Sequence, residues 1–411
     1  MVFERPRGVR DFGPQEMGLR AYVESTLSSV FEAFAYDLVQ TPLIEFLELF
    51  NLKSGEAIKE HLYVFEDKGG RKLCLRPEAT ASVARMYASE LRNLPKPLRL
   101  YYLGPMYRYE EPQKGRYREF WQVGVELMGS SGPEADAEVV AVASESMRRL
   151  GLKYSLRISH IGVLRRLLSI QGFDEGMQDK IIQALDKGDF ETVSKDVKDP
   201  SFKRILGLKG GQDSIEEARR VVEDKEIQDM LSGLEATASL LTQSNIDYTV
   251  DFSMARGLDY YTGMVFDIRV EGLGAQNQVC GGGRYDNLIT LFGGPQTPAV
   301  GFAFGLDRLI ESMQEQGVSM PALRTDVCVI PVSEAVCADA FRIAIELRRE
   351  LGGKVVNYDL SGRKLNKALQ HASELRARYA VIVGLQELKE GCVMLKDMAS
   401  QRQEGQTLRA S

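Results

Sequence analysis

Two long alternating segments in the first third of the chain constrain its fold most. Residues 98–106 and 120–127 have the length and pattern of β-strands, and a polar loop, 110–115, joins them. Strands joined this way are expected to pair antiparallel. On the second strand Phe120, Gln122, Gly124 and Glu126 share one face, because side chains alternate along a strand. An amide and a carboxylate are unusual in a core, so this face is either a site for a small polar ligand, with room left by the glycine, or a wet face of an ordinary hairpin.

The rest of the sequence indicates two domains, since 411 residues are too many for one ordinary domain. Hairpin and helix patterns over 1–320 predict an α+β domain whose mostly antiparallel sheet is flanked by helices. Within it, residues from about 162 to 244 contain charged helical patterns, for example 214–231, which predict a helical insertion. From 325 to 411 strands alternate with helices, which predicts a small α/β domain.

Composition excludes several classes of protein. Apolar residues make up 44% of the chain and charged residues 27%, as in globular proteins. No apolar run is long enough to span a bilayer, and the N-terminus lacks the apolar core of a secretory signal. The five cysteines form no Cys-x-x-Cys pair, so reduced thiols and a cytoplasmic location are expected. The three histidines are too dispersed to form a metal site.

Charge is unevenly distributed along the chain. The net charge of −6 argues against a protein coated for nucleic acid. Residues from Ala322 onward carry about +3, however, and the rest carries about −9. Either the C-terminal domain meets a polyanion, or the difference is ordinary scatter over a neutral surface.

The segment 254–263, Met-Ala-Arg-Gly-Leu-Asp-Tyr-Tyr-Thr-Gly, combines a cation with aromatic walls. The planar fork of Arg256 suits two-point binding of a phosphate or a carboxylate. Tyr260 and Tyr261 bring flat apolar faces with a hydroxyl at the tip, which suit a small ring-bearing substrate.

Other segments carry candidate anion and amine ligands. Arg108 and Arg116 lie at the polar loop between the two long strands, and Arg308 lies in the first turn of a helix that begins near residue 305. A helix N-terminus favours anions, although an exposed arginine is equally compatible with this position. Glu78 and Thr80 lie where a strand gives way to a helix, so they either bind an amino group or only cap that helix.

In this order, the segments resemble the three motifs of class II aminoacyl-tRNA synthetases and two signatures of histidyl-tRNA synthetases. The resemblance runs from residues 7–12 to the C-terminal domain. Residues 41–45 resemble the first motif, 108–126 the second and 301–308 the third. The two signatures correspond to residues 256–261 and 282–286. The run 281–283 lacks the Gly-Lys-Ser/Thr ending of a phosphate-binding P-loop.

The resemblance implies a histidine–tRNA ligase. Such an enzyme activates L-histidine with ATP to histidyl-adenylate and pyrophosphate, then transfers histidine to the 3′ end of its tRNA. The resemblance also implies Mg²⁺ on the ATP phosphates, an anticodon-binding C-terminal domain, no membrane and a homodimer joined through the first motif. The main alternative is a catalytically silent, histidine-sensing regulatory subunit of ATP phosphoribosyltransferase; a synthetase for another amino acid is a further one.

Individual roles follow from the same resemblance. Arg256 and Arg108 would be catalytic, with Arg256 stabilising charge at the α-phosphate as a metal ion does in related enzymes. Glu126 and Tyr261 would bind the imidazole. The implied ATP site comprises Arg108, Glu110, Arg116, Phe120 and Arg308. The implied histidine site comprises Glu78, Ala79, Thr80, Arg108, Gln122, Glu126, Arg256, Tyr260, Tyr261 and Tyr285.

Two positions depart from the family pattern. Trp121 stands where the family has histidine, and by alternation we expect its side chain on the face away from the ligand. Ala79 replaces a usual glycine, which is a mild change.

Overall fold

The computed structural model describes residues 3–52, 61–111, 117–256, 260–272, 277–319 and 325–407. Arg116, Gly257 and most of the polar loop at 110–115 therefore lie outside the described residues. The chain divides into two compact units, Met1–Ser319 and Met320–Ser411. No helix in the described ranges is long and apolar enough to cross a membrane.

A large mixed sheet forms the centre of the first unit. Its strands, within the described residues, are β1 (Asp37–Leu38), β5 (Leu98–Tyr107), β6 (Glu119–Met128), β7 (Ser155–His160), β8 (Lys209–Gly210), β9 (Thr249–Asp251), β10 (Met264–Arg269), β11 (Gln278–Arg284) and β12 (Ala299–Gly305). Their order is β1-β5-β6-β12-β11-β10-β7-β9-β8. Among the described strands of this large sheet, only β1 with β5 and β7 with β9 pair parallel, which confirms the mostly antiparallel sheet.

The predicted pair of long strands is the backbone of this sheet. β5 and β6 pair antiparallel from Leu98 opposite Met128 to Tyr107 opposite Glu119. Each strand is slightly longer than its pattern predicts, because pairing continues for one residue toward the loop and, on β6, one residue at the far end. A smaller sheet beside it has the order β2-β4-β3, with β2 (Ile44–Phe46), β3 (Val64–Glu66) and β4 (Lys72–Leu75).

Helices cover one face of the large sheet and leave the other open. Helix α1 (Pro14–Ala33) packs on the covered face through Phe31, whose ring meets those of Tyr101 and Phe302 edge to face. The other helices described in this unit are α2 (Leu47–Asn51), α3 (Thr80–Met86), α4 (Pro133–Arg149), α5 (Ile161–Ile170), α6 (Glu175–Asp186), α7 (Phe190–Asp196), α8 (Pro200–Leu206), α9 (Gln212–Val221), α10 (Lys225–Gln243), α11 (Leu288–Leu291) and α12 (Leu306–Glu315), with a π-helical turn at Tyr87–Leu91 after α3.

The insertion differs from its sequence pattern in two ways. The pattern at 214–231 is not one helix, because α9 ends at Val221 and the side chain of Asp224 accepts a hydrogen bond from the backbone N–H of Ile227, which caps α10. The insertion is also not purely helical. Strand β8 pairs with β9, so the insertion supplies the edge of the large sheet.

The second unit is a small α/β domain. Its described strands are β13 (Val327–Pro331), β14 (Val356–Tyr358), β15 (Tyr379–Val383), β16 (Cys392–Asp397) and β17 (Gln403–Thr407), in the order β14-β13-β15-β16-β17. The described helices are α13 (Cys337–Glu350), α14 (Leu365–Glu374) and α15 (Leu385–Lys389), with a 3₁₀ turn at Glu334–Val336. Alternation along β13 makes two cores: Val329 packs with Ile343 of α13, and Ile330 with Ala372 of α14.

Candidate active site

A cavity of about 810 Å³ opens on the uncovered face of the large sheet. It brings together side chains from segments that lie up to 247 positions apart in the sequence, from His61 to Arg308. The predicted site residues that line it are Glu78, Thr80, Arg108, Glu110, Phe120, Gln122, Arg256, Tyr260, Tyr261, Tyr285 and Arg308. Ala79 and Glu126 are buried, and the Glu126 carboxyl group is hydrogen-bonded to Thr80 and Tyr285, two of the lining residues. Arg116 lies outside the described residues.

Glycines make the floor of the cavity possible. A Cβ atom on Gly301 would collide with the carboxylate of Glu126, and one on Gly281 would collide with the guanidinium of Arg256. Both glycines therefore leave space that a functional side chain occupies. We predicted that Gly124 leaves space for a ligand, but the space beside it is occupied by another side chain. The hydroxyl oxygen of Tyr102 lies 2.6 Å from the place that a Cβ of Gly124 would take.

Glu126 is the buried acidic centre of the site. Thr80 Oγ1 donates to its Oε1 at 2.7 Å, and the Tyr285 hydroxyl donates to its Oε2. Burial raises the pKa of Glu126 to about 8; these two hydrogen bonds act in the opposite direction, and the nearby charge of Glu78 adds to the rise. At neutral pH this raised pKa favours the protonated form of Glu126, which can exchange a proton with a basic ligand.

Tyrosine rings form the wall beside this carboxylate. The ring of Tyr260 lies 4.9 Å from that of Tyr261 and 5.7 Å from that of Tyr285, measured between centroids. All three side chains are buried. Edge-to-face and tilted rings around a protonatable group suit a small, flat, polar ring.

Glu78 caps a helix and also lines the cavity, so its binding of an amino group remains a prediction. Its two carboxylate oxygens accept hydrogen bonds from the backbone N–H groups of Thr80 at 2.6 Å and Ala81 at 3.0 Å, so it caps α3. It also lines the cavity. The pKa of Glu78 is raised by burial, and the backbone hydrogen bonds and the charge of Arg108 offset only part of this rise. Ala79 holds the N-cap position of α3 without a side-chain hydrogen bond.

Three arginines give the cavity a positive outer part. Arg108 Nε donates to the Pro77 carbonyl at 3.0 Å, and its guanidinium lies 5.2 Å from the ring centroid of Phe120. Arg308 Nη1 donates to the carbonyl of Gln278 at 2.8 Å. Arg256 is partly buried, and its buried Nε has no hydrogen-bond partner among the described residues. Cations held this way favour a polyanionic ligand such as a triphosphate.

The sequence analysis missed other residues of the cavity wall. Gln183, Asp186 and Lys187, from the end of α6 in the insertion, line the cavity. Burial lowers the pKa of Arg256, but Tyr261, Asp186 and Asp267 more than offset this, so its pKa is raised. No local pattern marks these insertion residues. Tyr102 was missed as well, although the strand register that places it opposite Gly124 could have revealed it.

Trp121 lies at the boundary between the two faces of the sheet. Its ring lies 5.2 Å from the guanidinium of Arg20, which belongs to α1 on the covered face. Trp121 nevertheless also borders the cavity. The described residues contain no group of three or more His, Cys, Asp or Glu side chains that could hold a metal ion.

Comparison with known proteins agrees with this geometry. Residues 8–309 match the family model for histidyl-tRNA synthetase, and residues 326–410 match that for an anticodon binding domain. A histidine–tRNA ligase of Archaeoglobus fulgidus is 45% identical over 98% of this chain and 97% of its own length. The chain thus has the organisation of an aminoacyl-tRNA synthetase, a catalytic unit followed by an anticodon-binding domain. Within that class it belongs to the histidyl-tRNA synthetase family.

Two solved structures extend the comparison to the fold. The apo histidyl-tRNA synthetase of S. aureus is 27% identical, with a TM-score of 0.72 over 99% of this chain and 97% of its own. A Bacillus halodurans protein, described as an ATP phosphoribosyltransferase regulatory subunit/histidyl-tRNA synthetase, is 26% identical, with a TM-score of 0.80 over 93% of this chain and 99% of its own.

Proposed function

We propose that this chain is a histidine–tRNA ligase, which forms histidyl-adenylate from L-histidine and ATP and then charges the 3′ end of its tRNA. One observation carries the proposal: a protonatable carboxylate, Glu126, is buried among tyrosines beside a cavity whose outer part holds three arginines. An imidazole is the side chain that such a carboxylate can both hydrogen-bond and exchange a proton with. The arginines suit the phosphates of ATP.

The histidine substrate would lie with its ring toward Glu126. Tyr261 would take part in binding the imidazole, and Tyr260 and Tyr285 would enclose it. Glu78, Thr80 and Gln122 would hold the ammonium group, with Ala79 supporting them through the backbone. The carboxylate of the substrate would then point to Arg108 and Arg256, which lie toward the phosphates.

ATP would lie along the arginines of the second and third motifs. Phe120 would stack on adenine, Glu110 would accept from its amino group, and Arg308 and Arg116 would bind the outer phosphates. An oxygen of the histidine carboxylate attacks the α-phosphorus, the bond to the β-phosphate oxygen breaks, and pyrophosphate leaves. Arg256 and Arg108 would stabilise the charge on the α-phosphate during this step.

Mg²⁺ would enter as part of the MgATP substrate. The described residues include no carboxylate cluster that would hold the ion by itself, and Mg²⁺ commonly binds through substrate phosphates with few protein ligands. The ion would neutralise charge on the outer phosphates. Arg256, which lines the cavity, fits this division, because near the α-phosphate it would supply a cation where no protein-bound metal is expected.

A second copy of the chain would cover the smaller sheet. Large apolar side chains on and beside β2 and β3 are exposed in the single chain, namely Leu43, Ile44, Phe46, Val64 and Phe65. They include part of the first motif, at residues 41–45, and an exposed apolar surface of this kind indicates an interface. We propose that the chain forms a homodimer and that this dimer works in the cytoplasm. We also propose that the C-terminal domain, 325–411, reads the tRNA anticodon.

The silent regulatory subunit is not favoured. The similarity to the Archaeoglobus fulgidus ligase extends over both units of the chain, and Arg108, Arg256 and Arg308 all line the cavity. A protein that only senses histidine has no use for a row of phosphate-binding cations.

The test is ATP–pyrophosphate exchange with each of the twenty amino acids, repeated with Arg256→Ala. We expect exchange with histidine alone and its loss in the variant, because the cation at the α-phosphate is removed. Arg148→Ala serves as the control, since Arg148 is an exposed residue of α4 that pairs with Glu145. Histidine binding by calorimetry without any exchange would instead indicate the regulatory subunit.

A further inference from the structure

Buried polar atoms without partners mark where a ligand's polar groups belong. Within the described residues, four such atoms belong to side chains that line the cavity: Gln122 Oε1, Arg256 Nε, Asp307 Oδ2 and the hydroxyl oxygen of Tyr102. A buried polar group without a hydrogen bond lowers the stability of the folded protein, so such groups are rare. Where one occurs it commonly binds a ligand or marks a strained site. Gln122 and Arg256 already have proposed ligand contacts, whereas Tyr102 has none.

Asp307 differs from the other three because it has a structural explanation. Its Oδ1 accepts hydrogen bonds from Arg10 at 2.7 Å and from Arg20 at 2.8 Å. Its charge is therefore neutralised, and the second oxygen costs little. Tyr102 has no comparable tie through its polar atom.

Tyr102 lies at the level of the amine-binding residues. It is 4% exposed and stands on β5 opposite Gly124 of β6. Its hydroxyl reaches across that glycine, whose missing Cβ leaves the space. On the same face of β6, Gln122 and Glu126 flank Gly124 on either side. The hydroxyl therefore lies between an amide and a carboxylate that both face the ligand.

The surroundings of the hydroxyl are acidic. Burial and the charges of Glu126 and Glu78 raise the pKa of Tyr102, against a smaller opposite effect of the nearby Thr80 hydroxyl. No hydrogen bond of acceptable geometry joins Tyr102 to Thr80, which donates to Glu126. Tyr102 thus stays a neutral hydroxyl with a free oxygen lone pair, beside the carboxyl groups of Glu78 and Glu126, and such an oxygen can accept a hydrogen bond from a cation.

An ammonium group has three N–H donors and no acceptor, so its burial needs three acceptors. Gln122 Oε1 is one, and Glu78, whose oxygens each retain a lone pair, is another. Thr80 Oγ1 donates to Glu126, and we propose that the hydroxyl oxygen of Tyr102, rather than that of Thr80, is the third and accepts a hydrogen bond from the α-ammonium group of the bound amino acid. This inference rests on the proposed function, and it adds a residue that contacts the substrate to that site.

The test compares Tyr102→Phe with Tyr101→Phe in pyrophosphate exchange. Tyr101 is the adjacent tyrosine, is equally buried, and donates its hydroxyl to Glu32 at 3.0 Å on the covered face. Tyr102→Phe is expected to raise the KM for histidine about tenfold, the effect of one lost hydrogen bond to a charged group, with the KM for ATP unchanged. Tyr101→Phe is expected to change neither constant.

Binding of analogues by calorimetry isolates the ammonium group. Histidinol keeps that group and lacks the carboxylate, whereas 3-(imidazol-4-yl)propionate keeps the ring and the carboxylate only. Tyr102→Phe should weaken histidine and histidinol alike and leave the propionate unaffected. Equal losses for all three ligands would mean that Tyr102 only shapes the pocket, and would overturn the inference.

Stability of the empty enzyme provides a second readout. Tyr102→Phe should leave the melting temperature unchanged or raise it, because the hydroxyl has no partner to lose, whereas Tyr101→Phe should lower it. A marked drop for Tyr102→Phe would mean that the hydroxyl has a structural role, against the inference. If the unaltered enzyme neither binds histidine nor shows exchange, the proposed function fails; normal activity with identical behaviour of the two variants overturns this inference alone.

Discussion

At the scale of single residues, the cavity depends on how a few charged groups are desolvated. Glu126 is held by Thr80 and Tyr285 but meets no cation among its principal electrostatic partners, so burial dominates and its pKa rises to about 8. Asp136 shows the same effect in weaker form. Burial raises its pKa to about 6, although Arg284 pairs with it. The two pKa values differ because Asp136 is paired with an arginine and Glu126 is not. Without such a cation beside it, Glu126 can interact with a basic ligand.

The raised pKa of Glu126 predicts a pH dependence of stability. Between its unfolded value near 4.5 and its folded value of about 8, the native protein binds a proton that the unfolded chain has released. The contribution of Glu126 to the free energy of unfolding therefore falls as pH rises through this window and is flat below it. Glu126→Gln should remove this contribution, so its unfolding free energy should fall less between about pH 5 and about pH 8.

Urea denaturation of the ligand-free protein at several pH values measures this effect. Glu138→Gln is the matched control, because Glu138 is partly exposed and pairs with Arg99. Parallel pH profiles for the unaltered protein and Glu126→Gln would show that Glu126 is ionised in the empty site, contrary to this prediction.

At the scale of elements, the segment before α1 connects the second and third motifs. The carbonyl of Gly8 accepts from the backbone N–H of Arg118 at 2.8 Å, next to the end of the polar loop. The Arg10 guanidinium lies 3.3 Å from the ring centroid of Tyr117 and pairs with Asp307, the neighbour of Arg308. This extended segment has no regular structure, yet it contacts both motifs whose arginines are proposed to bind the phosphates of ATP.

Arg10→Ala should therefore impair ATP use more than histidine use. The substitution removes the stacking on Tyr117 and the ion pair with Asp307, so both motifs lose a contact that positions them. We therefore expect the KM for ATP to rise several-fold, which corresponds to about 1 kcal/mol of ATP binding free energy, and the KM for histidine to stay within twofold. Pyrophosphate exchange at varied substrate concentrations measures both constants. Arg5→Ala is the control, since its pair with Asp11 is exposed. Equal rises in both constants would instead indicate a general loss of folding.

At the scale of the whole molecule, the chain consists of two units with separate cores. The second unit has its own sheet, with apolar clusters on both sides of β13. Every described residue that lines the cavity belongs to the first unit. The proposed function therefore assigns adenylate formation to the first unit and recognition of the tRNA anticodon to the second.

A chain that ends at residue 319 should keep the first reaction and lose most of the second. We expect histidine-dependent pyrophosphate exchange within about tenfold of the full chain, because the cavity and its supports remain. Charging of tRNA should fall much further, through a higher KM for tRNA. The two assays on one preparation give the comparison, and loss of exchange in a fragment with native circular dichroism would contradict the separation of roles.

Much of the fold was readable from local patterns. The strands at 98–106 and 120–127 were predicted to within one residue at each end, since alternation and length depend on the chain itself. Strand β17 and the short helix α15 were missed, because five-residue elements with exposed polar side chains carry little periodic signal. The break between α9 and α10 was missed because the Asp224 cap lies inside an uninterrupted amphipathic pattern.

By itself, the sequence determined the chemistry available to this protein: the arginines, the carboxylates and the tyrosines, together with the strand alternation that puts Gln122 and Glu126 on one face. Only the tertiary structure decided which of them meet and in what state. Burial raises the pKa of Glu126 against the hydrogen bonds of Thr80 and Tyr285, the glycine at 124 accommodates the Tyr102 hydroxyl, and the distant insertion brings Asp186 near Arg256. Desolvation and contact between remote segments are properties of the packed chain, and no local pattern encodes them.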